Sequence, residues 1–163
     1  MTDIAAALLS AAPAPDRAAE LALFGQFVGE WRAVRRSRHR GGPWTETTRT
    51  WVFGWTLGGA AVVDVQFDDE GATLSSGVRT FDAAAKLWRI TWASASGSAA
   101  LLTGQAYGEA GIRTEGQISG GNPIRANFSE ITADSFAWDE WVAADDDGPN
   151  WELEIHVDAT RSR

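Results

Sequence analysis

The stretch FGQFVGEWR, residues 24–32, marks the point where the sequence pattern changes from helix to strand. Up to Val28, the segment 16–28 predicts one helix, because Asp16 can cap it and apolar residues recur at helical spacing. After Gly29, short runs rich in Trp, Val, Thr and Phe alternate with turn-forming patches, which is typical of β-strands joined by tight turns. The sequence therefore predicts a short N-terminal helix followed by an all-β domain.

The spacing of the turn patches predicts ten short strands. No helical segment separates consecutive strands, so parallel crossover folds lack their connecting elements and an antiparallel meander is favoured. Because closure of the sheet removes its exposed edges, we predict a closed antiparallel β-barrel of 8–10 strands, with a two-sheet sandwich as the alternative. The predicted strands cover residues 30–39, 45–55, 60–68, 73–81, 87–94, 99–107, 111–118, 124–130, 135–143 and 151–158.

Length and composition fit one compact domain. The chain has 163 residues, of which 44% are hydrophobic and 22% charged, enough for one core without cross-links. Residues 1–15 are predicted to be a flexible segment with a frayed helix, and residues 16–163 a single barrel domain. The first segment lacks the positive charge of a secretory signal, and its apolar run is too short to span a membrane, so we expect a cytoplasmic protein.

The net charge of −8 disfavours nucleic acid and anionic membrane surfaces as partners. The exception to the acidic composition is the arginine-rich stretch RAVRRSRHR, residues 32–40. It predicts either a solvated strand end and loop or an anion-attracting rim beside a ligand entrance. Both alternatives stay open at this point.

Side chains that usually carry catalysis are scarce. Cysteine is absent, which removes disulfides, zinc-thiolate sites and thiol nucleophiles. The chain has two histidines, and His156 falls on the same strand parity as the charged residues beside it, so it is expected to face solvent. No Ser-His-Asp set, metal-ligand cluster, phosphate loop or dinucleotide fingerprint can be assembled. We therefore expect no metal and no cofactor.

Aromatic residues dominate the strand faces that are expected to point inward. The chain holds nine tryptophans and seven phenylalanines. These rings either pack into a filled core or line a hollow, and small barrels with ring-lined hollows commonly bind small molecules. The single tyrosine could offer its hydroxyl to a ligand carbonyl or lie in an outer girdle. The predicted ligand-binding residues are Trp51, Phe53, Trp55, Trp88, Trp92, Tyr107 and Trp138.

Two charged residues fall on these aromatic faces. Arg49 shares its parity with Trp51, and Glu140 shares its parity with Trp138. A charge on an apolar face must be paired or reach water at the barrel mouth, because burying it alone is costly. Arg49 and Glu140 could pair with each other, extend to solvent, or act on a polar ligand group.

A Gly-x-Trp motif at the entry to the first strand is formed by Gly29 and Trp31, and Arg161 follows near the end of the chain. With a preceding helix, this combination resembles the lipocalin and wider calycin barrels, in which the tryptophan closes one end and the arginine lies over its ring. Further segments are similar to an uncharacterised bacterial calycin-like family of small barrels. They are residues 51–65, 77–92, 124–138 and 146–161.

The resemblance adds a second pair of candidate residues. Asp64 and Arg79 lie in two of the matching segments, although strand parity favours Asp64 pointing outward, opposite Val63. A structural ion pair between neighbouring strands is the alternative to a catalytic role. The family usually carries an arginine and a glutamine where this chain has Ala60 and Val63, which implies a more apolar cavity.

The sequence thus predicts a barrel that acts on a hydrophobic metabolite, such as an aromatic or polyketide-like compound, as a cofactor-independent cyclase, isomerase or lyase. Arg49 or Arg79 would stabilise negative charge on a carbonyl, and Glu140 or Asp64 would move a proton. A non-catalytic carrier of the same molecule is the main alternative, and a filled barrel that binds a protein partner is the third. The expected partner is a small molecule, with no nucleic acid and no membrane, and a homodimer stays open.

Overall fold

The computed structural model describes residues 3–144 and 150–162. Ten antiparallel strands form a closed barrel in which each strand pairs with its neighbours in sequence, and the first pairs with the tenth. This confirms the predicted all-β closed antiparallel barrel. The strands are β1 (Gly29–Ser37), β2 (Thr45–Thr56), β3 (Ala61–Phe67), β4 (Thr73–Asp82), β5 (Leu87–Ser94), β6 (Ala99–Tyr107), β7 (Gly111–Ile118), β8 (Pro123–Ser129), β9 (Ser135–Ala143) and β10 (Trp151–Arg161).

Two short α-helices precede the barrel, α1 (Ile4–Leu8) and α2 (Ala18–Gly25). The predicted cap at Asp16 is wrong, because Arg17 occupies the N-cap position of α2 and no side chain caps it. Instead, Arg17 Nη2 donates to the carbonyl oxygen of Phe81 at 3.0 Å, and this hydrogen bond connects the start of α2 to β4. Among residues 3–144 and 150–162, no helix has the length and apolar character needed to cross a membrane.

The segment between the two helices lies against the barrel. Ser10 forms a β-bridge with Trp55, and the amide of Ala14 donates to the carbonyl oxygen of Gly59 at 3.0 Å. The Leu9 and Val63 side chains both approach within 4 Å the position that a Cβ atom would take at Gly54. This segment therefore covers part of the outer face of β2 and β3. The flexibility predicted for residues 1–15 stays a prediction.

The Gly-x-Trp motif closes one end of the barrel. Trp31 is fully buried, and its indole Nε1 donates to the carbonyl oxygen of Phe27 at 2.7 Å. The guanidinium of Arg161 lies 4.1 Å above the Trp31 ring and donates from Nη1 to the carbonyl oxygen of Val28 at 3.0 Å. At Gly29 the φ angle is +135°, and a Cβ atom there would collide with Arg161 Nη1. A glycine is required because the arginine occupies the space of a side chain.

Packed rings fill this end of the barrel interior. Phe24 of α2 contacts Trp88 edge to face at 4.9 Å, and Phe27 contacts Phe136 in the same way at 4.9 Å. Such pairs add to the burial of large apolar surfaces and hold the rings in fixed positions. We call this cluster the aromatic plug. It consists of Phe24, Phe27, Trp31, Phe53, Trp88 and Phe136.

Replacing Trp31 with alanine should lower the free energy of unfolding by about 3–5 kcal/mol, because it leaves a cavity inside the aromatic plug. The measurement is urea denaturation followed by circular dichroism. Trp44→Ala is the matched control, since Trp44 is 43% exposed in the β1–β2 loop, and it should change stability by less than about 1 kcal/mol. Equal losses in both variants would contradict the closing role of Trp31.

Candidate functional site

The barrel interior beyond the aromatic plug is hollow. The cavity has a volume of about 260 Å³ and lies toward the end at which the arginine-rich loop joins β1 to β2. Arg35 near the end of β1 and Ile118 at the end of β7 mark its outer part. Six apolar side chains supply much of the wall. They are Ile90, Leu102, Ile118, Ile124, Phe128 and Ile155.

Three of the predicted aromatic residues line this cavity: Trp51, Trp92 and Trp138. The rings of Trp51 and Trp138 meet edge to face with centroids 5.9 Å apart. Strand parity placed these rings correctly, since all three point into the barrel.

The other four predicted ligand-binding residues lie elsewhere. Phe53 and Trp88 point inward but belong to the aromatic plug. Trp55 lies at the plugged end, with its Cζ2 atom 2.9 Å from the position of a Cβ atom at Gly25. Tyr107 is 46% exposed on the outer surface, where the guanidinium of Arg113 stacks over its ring.

Asp64 faces the cavity, so the outward orientation favoured by strand parity is wrong. It is 1% exposed, while Val63 beside it is half-buried on the outer face. The parity rule failed because the chain between α1 and α2 covers this part of the outer surface, and an apolar outward face is therefore tolerated there. The contact between this segment and β3 joins residues that are distant in sequence, so it cannot be predicted from the sequence of β3 alone.

A buried ion pair forms the floor of the cavity. Arg79 Nη1 donates to Asp64 Oδ1, and Trp51 Nε1 donates to Asp64 Oδ2 at 2.7 Å. The guanidinium of Arg79 also lies 5.2 Å from the ring centroid of Phe24 in the aromatic plug. Opposite Asp64, a Cβ atom at Gly77 would approach Oδ1 to 2.7 Å, so the glycine leaves room for the pair. Both Asp64 oxygens are engaged by donors, which suits a structural acceptor better than a free base.

A second charged group lies in the outer part of the cavity and consists of Arg35, Arg49 and Glu140. In residues 3–144 and 150–162, no ion pair joins Arg49 to Glu140, so the pairing considered from sequence is not formed. Arg49 Nη1 donates instead to Gln66 Oε1 at 3.0 Å, and Arg35 Nη1 donates to Ser37 Oγ at 2.7 Å. Arg35 and Gln66 were missed from sequence. Arg35 could have been found, since it continues the inward parity of Trp31.

Burial changes the acid-base properties of this group. It raises the pKa of Glu140 to about 7, an effect that the charge of Arg35 opposes and that of Glu154 reinforces. Burial, together with repulsion from Arg49, lowers the pKa of Arg35 to about 10, and attraction to Glu140 opposes this. Burial also lowers the pKa of Arg49, against the charge of Asp68. Near neutral pH the two arginines are therefore charged, while Glu140 is present in both its protonated and its ionised form.

The remaining polar clusters lie outside the cavity. His156 Nδ1 and Asp139 Oδ1 are 2.7 Å apart on the outer face of β9 and β10, so the predicted outward orientation of His156 is confirmed. Within the described residues, no group of three or more histidine, cysteine, aspartate or glutamate side chains could hold a metal ion. The polar groups that line the cavity are arginine, carboxylate and indole groups, together with the side chains of Gln66, Ser75 and Thr114.

Comparisons with known proteins support the fold. A search of solved structures finds the crystal structure of Rv2717c from M. tuberculosis, which aligns with a TM-score of 0.63 over 93% of this chain and 99% of that chain at 16% sequence identity. At this level of identity the likeness shows the barrel fold alone. No protein-family model matches the chain, and no curated protein matches it.

The raised pKa of Glu140 predicts that its carboxyl group lowers stability as pH rises from about 4.5 to about 7. Below its ordinary value of 4.5 the group is protonated in both the folded and the unfolded state; as pH rises toward about 7, the folded state alone keeps the proton. Stability should therefore fall across this interval, by up to about 3 kcal/mol from this group. The Glu140→Gln variant should gain a similar amount over the wild type at pH 8 and almost nothing at pH 4.5, measured by urea denaturation.

Glu109→Gln, at an exposed turn, is the matched control and should match the wild type at both pH values. The comparison between variants is needed because the pKa of His156 is also shifted in the folded state, so that its contribution to stability depends on pH as well. Burial opposes its charge, but the hydrogen bond to Asp139 and the charges of Asp139 and Asp158 raise its pKa overall. Its contribution also fades as pH rises, yet it is common to all the proteins compared. A pH-independent difference between Glu140→Gln and the wild type would contradict the assignment.

Proposed function

We propose that this protein binds a small, largely apolar molecule inside the barrel. The observation that carries the proposal is the cavity of about 260 Å³ beyond the aromatic plug. Its volume is close to the lower end of the roughly 300–1,000 Å³ that is typical of ligand pockets. Three indole rings and several aliphatic side chains form its wall, and a few polar groups converge on it, which is the usual composition of a small-molecule site.

The proposed ligand has a flat or compact apolar body. Trp51, Trp92 and Trp138 offer ring faces and edges to it, and Ile90 and Leu102 offer aliphatic surface. A calycin-like assignment is part of the proposal, and the contact of Arg161 with Trp31 at the closed end supports it. In such an arrangement, the plugged end gives rigidity and the opposite end admits the ligand.

A second candidate function is a cofactor-independent enzyme of the cyclase, isomerase or lyase type, and the position of Glu140 favours it. A carboxyl group with a pKa of about 7 can both accept and return a proton at neutral pH. Arg49 could hold the oxygen of a substrate carbonyl and stabilise negative charge there while Glu140 removes a proton from the adjacent carbon. Asp64 and Arg79 are less suited to these roles, since they bind each other.

Filling the cavity should abolish binding. Ala100 points into the cavity, so Ala100→Phe places a ring in the proposed ligand volume. Ala99→Phe is the matched control, because Ala99 precedes it on β6 and faces outward. Native mass spectrometry against a panel of aromatic and aliphatic compounds should show complexes for the wild type and Ala99→Phe but not for Ala100→Phe. Failure of the wild type to bind any of the panel, or equal binding by both variants, would contradict the proposal.

Replacing Glu140 with glutamine separates an enzyme from a carrier. If Glu140 transfers a proton, Glu140→Gln should keep binding while turnover of a bound compound falls by about 10²–10⁴-fold. The measurement is mass spectrometry of the panel after incubation with protein, and Glu109→Gln should react as the wild type does. Absence of any product with the wild type would exclude the enzyme candidate for that panel and favour carriage.

A further inference from the structure

We infer that the ligand of this cavity is a carboxylate, whose acidic group binds Arg35 and Arg49 while its apolar body lies against Trp51 and Phe128. This inference rests on the proposed binding function and names the chemical class of the ligand. It follows from three features of the cavity: the count of charges, the unused donors of the arginines, and the arrangement of polar and apolar walls.

The first feature is the excess of positive charge. Three arginines and two carboxylates line the cavity. Asp64 is bound to Arg79, so these two charges offset each other. Glu140 is then the remaining carboxyl group of the lining, and it attracts Arg35, whereas Arg49 is attracted by Asp68, which lies outside the lining. The residues that line the cavity therefore carry at least one more positive charge than negative charge, although the chain carries a net charge of −8.

The second feature is a buried guanidinium donor of Arg49 without a partner, as is also found at Nε of Arg79 in the floor of the cavity among the described residues. A guanidinium has five N–H donors. Arg49 uses Nη1 toward Gln66, whereas its buried Nε has no hydrogen-bond partner among the residues that the structure describes. A buried donor without a partner is unfavourable, and an anionic oxygen is the strongest acceptor that could satisfy it.

The third feature is the grouping of Arg35, Arg49 and Glu140 in the outer part of the cavity, where apolar residues such as Ile118 also line the wall. Arg35 and Arg49 lie in the outer part of the cavity, and Arg35 is held at 2.7 Å from Ser37 Oγ near the end of β1. Farther in, the wall is formed by Trp51, Phe128 and aliphatic residues down to the Asp64–Arg79 floor. A molecule with one acidic end and an apolar body matches this order. A single carboxylate also matches the charge excess, since it adds one negative charge.

The test uses three probes that share one ring system and differ in charge: 2-naphthoate, 2-naphthylmethanol and 2-naphthylmethylamine. Isothermal titration calorimetry at pH 7 should give the tightest binding for the carboxylate, with Kd about tenfold or more below that of the alcohol. The amine should bind more weakly than the alcohol. In Arg49→Met, the preference for the carboxylate over the alcohol should fall to about twofold or less, while the Kd of the alcohol stays within about threefold.

Arg89→Met is the matched control, because it removes one positive charge from the outer face of β5, where Arg89 pairs with Asp82. It should retain the preference for the carboxylate. Arg35→Met provides a second variant in case Arg49→Met does not fold, as judged by circular dichroism.

If the alcohol binds as well as the carboxylate, or the preference survives both cavity variants, the carboxylate inference is overturned and the binding function stands. If none of the three probes binds and the broader panel also fails, both are overturned.

Discussion

The contact of Arg161 with Trp31, in the space left by Gly29, is the constraint on which the rest of the structure depends. It joins the start of β1 to the end of β10, which are the strands that close the barrel. It also fixes the turn after α2, since Arg161 binds backbone carbonyls there. Because this turn carries Phe27 into the interior, one end of the barrel is filled with rings. The hollow is thereby confined to the other end.

The Asp64–Arg79 pair forms the boundary between the filled and hollow parts. Burying an ion pair is costly unless its hydrogen bonds are satisfied. Here Trp51 donates to the second carboxylate oxygen, and Gly77 leaves the space that the pair needs, whereas the buried Nε of Arg79 has no partner among the described residues. The pair faces the aromatic plug on one side and the cavity on the other. It therefore gives the cavity a rigid polar floor without adding net charge.

The strands were predictable because turn chemistry and alternation are local properties of the chain. The same alternation correctly assigned Arg49 and Glu140 to the interior. Parity, however, says which way a side chain points and not how deep it lies along the barrel axis. Phe53 was therefore assigned to the ligand site although it belongs to the plug. For Asp64, parity favoured the wrong face for another reason, since a segment distant in sequence covers the outer face of its strand.

The charge of the cavity could not be derived from composition, because the overall charge has the opposite sign. Three arginines of β1, β2 and β4 line the cavity, together with only two of the acidic residues, Asp64 and Glu140. An arginine on an inward face is stable when a carboxylate lies opposite, as for Arg79. Glu140, which is only partly ionised at neutral pH, attracts Arg35, and Asp68 attracts Arg49. A barrel built only to be filled would gain stability from apolar residues at these positions, so the presence of arginines there agrees with the ligand proposed above.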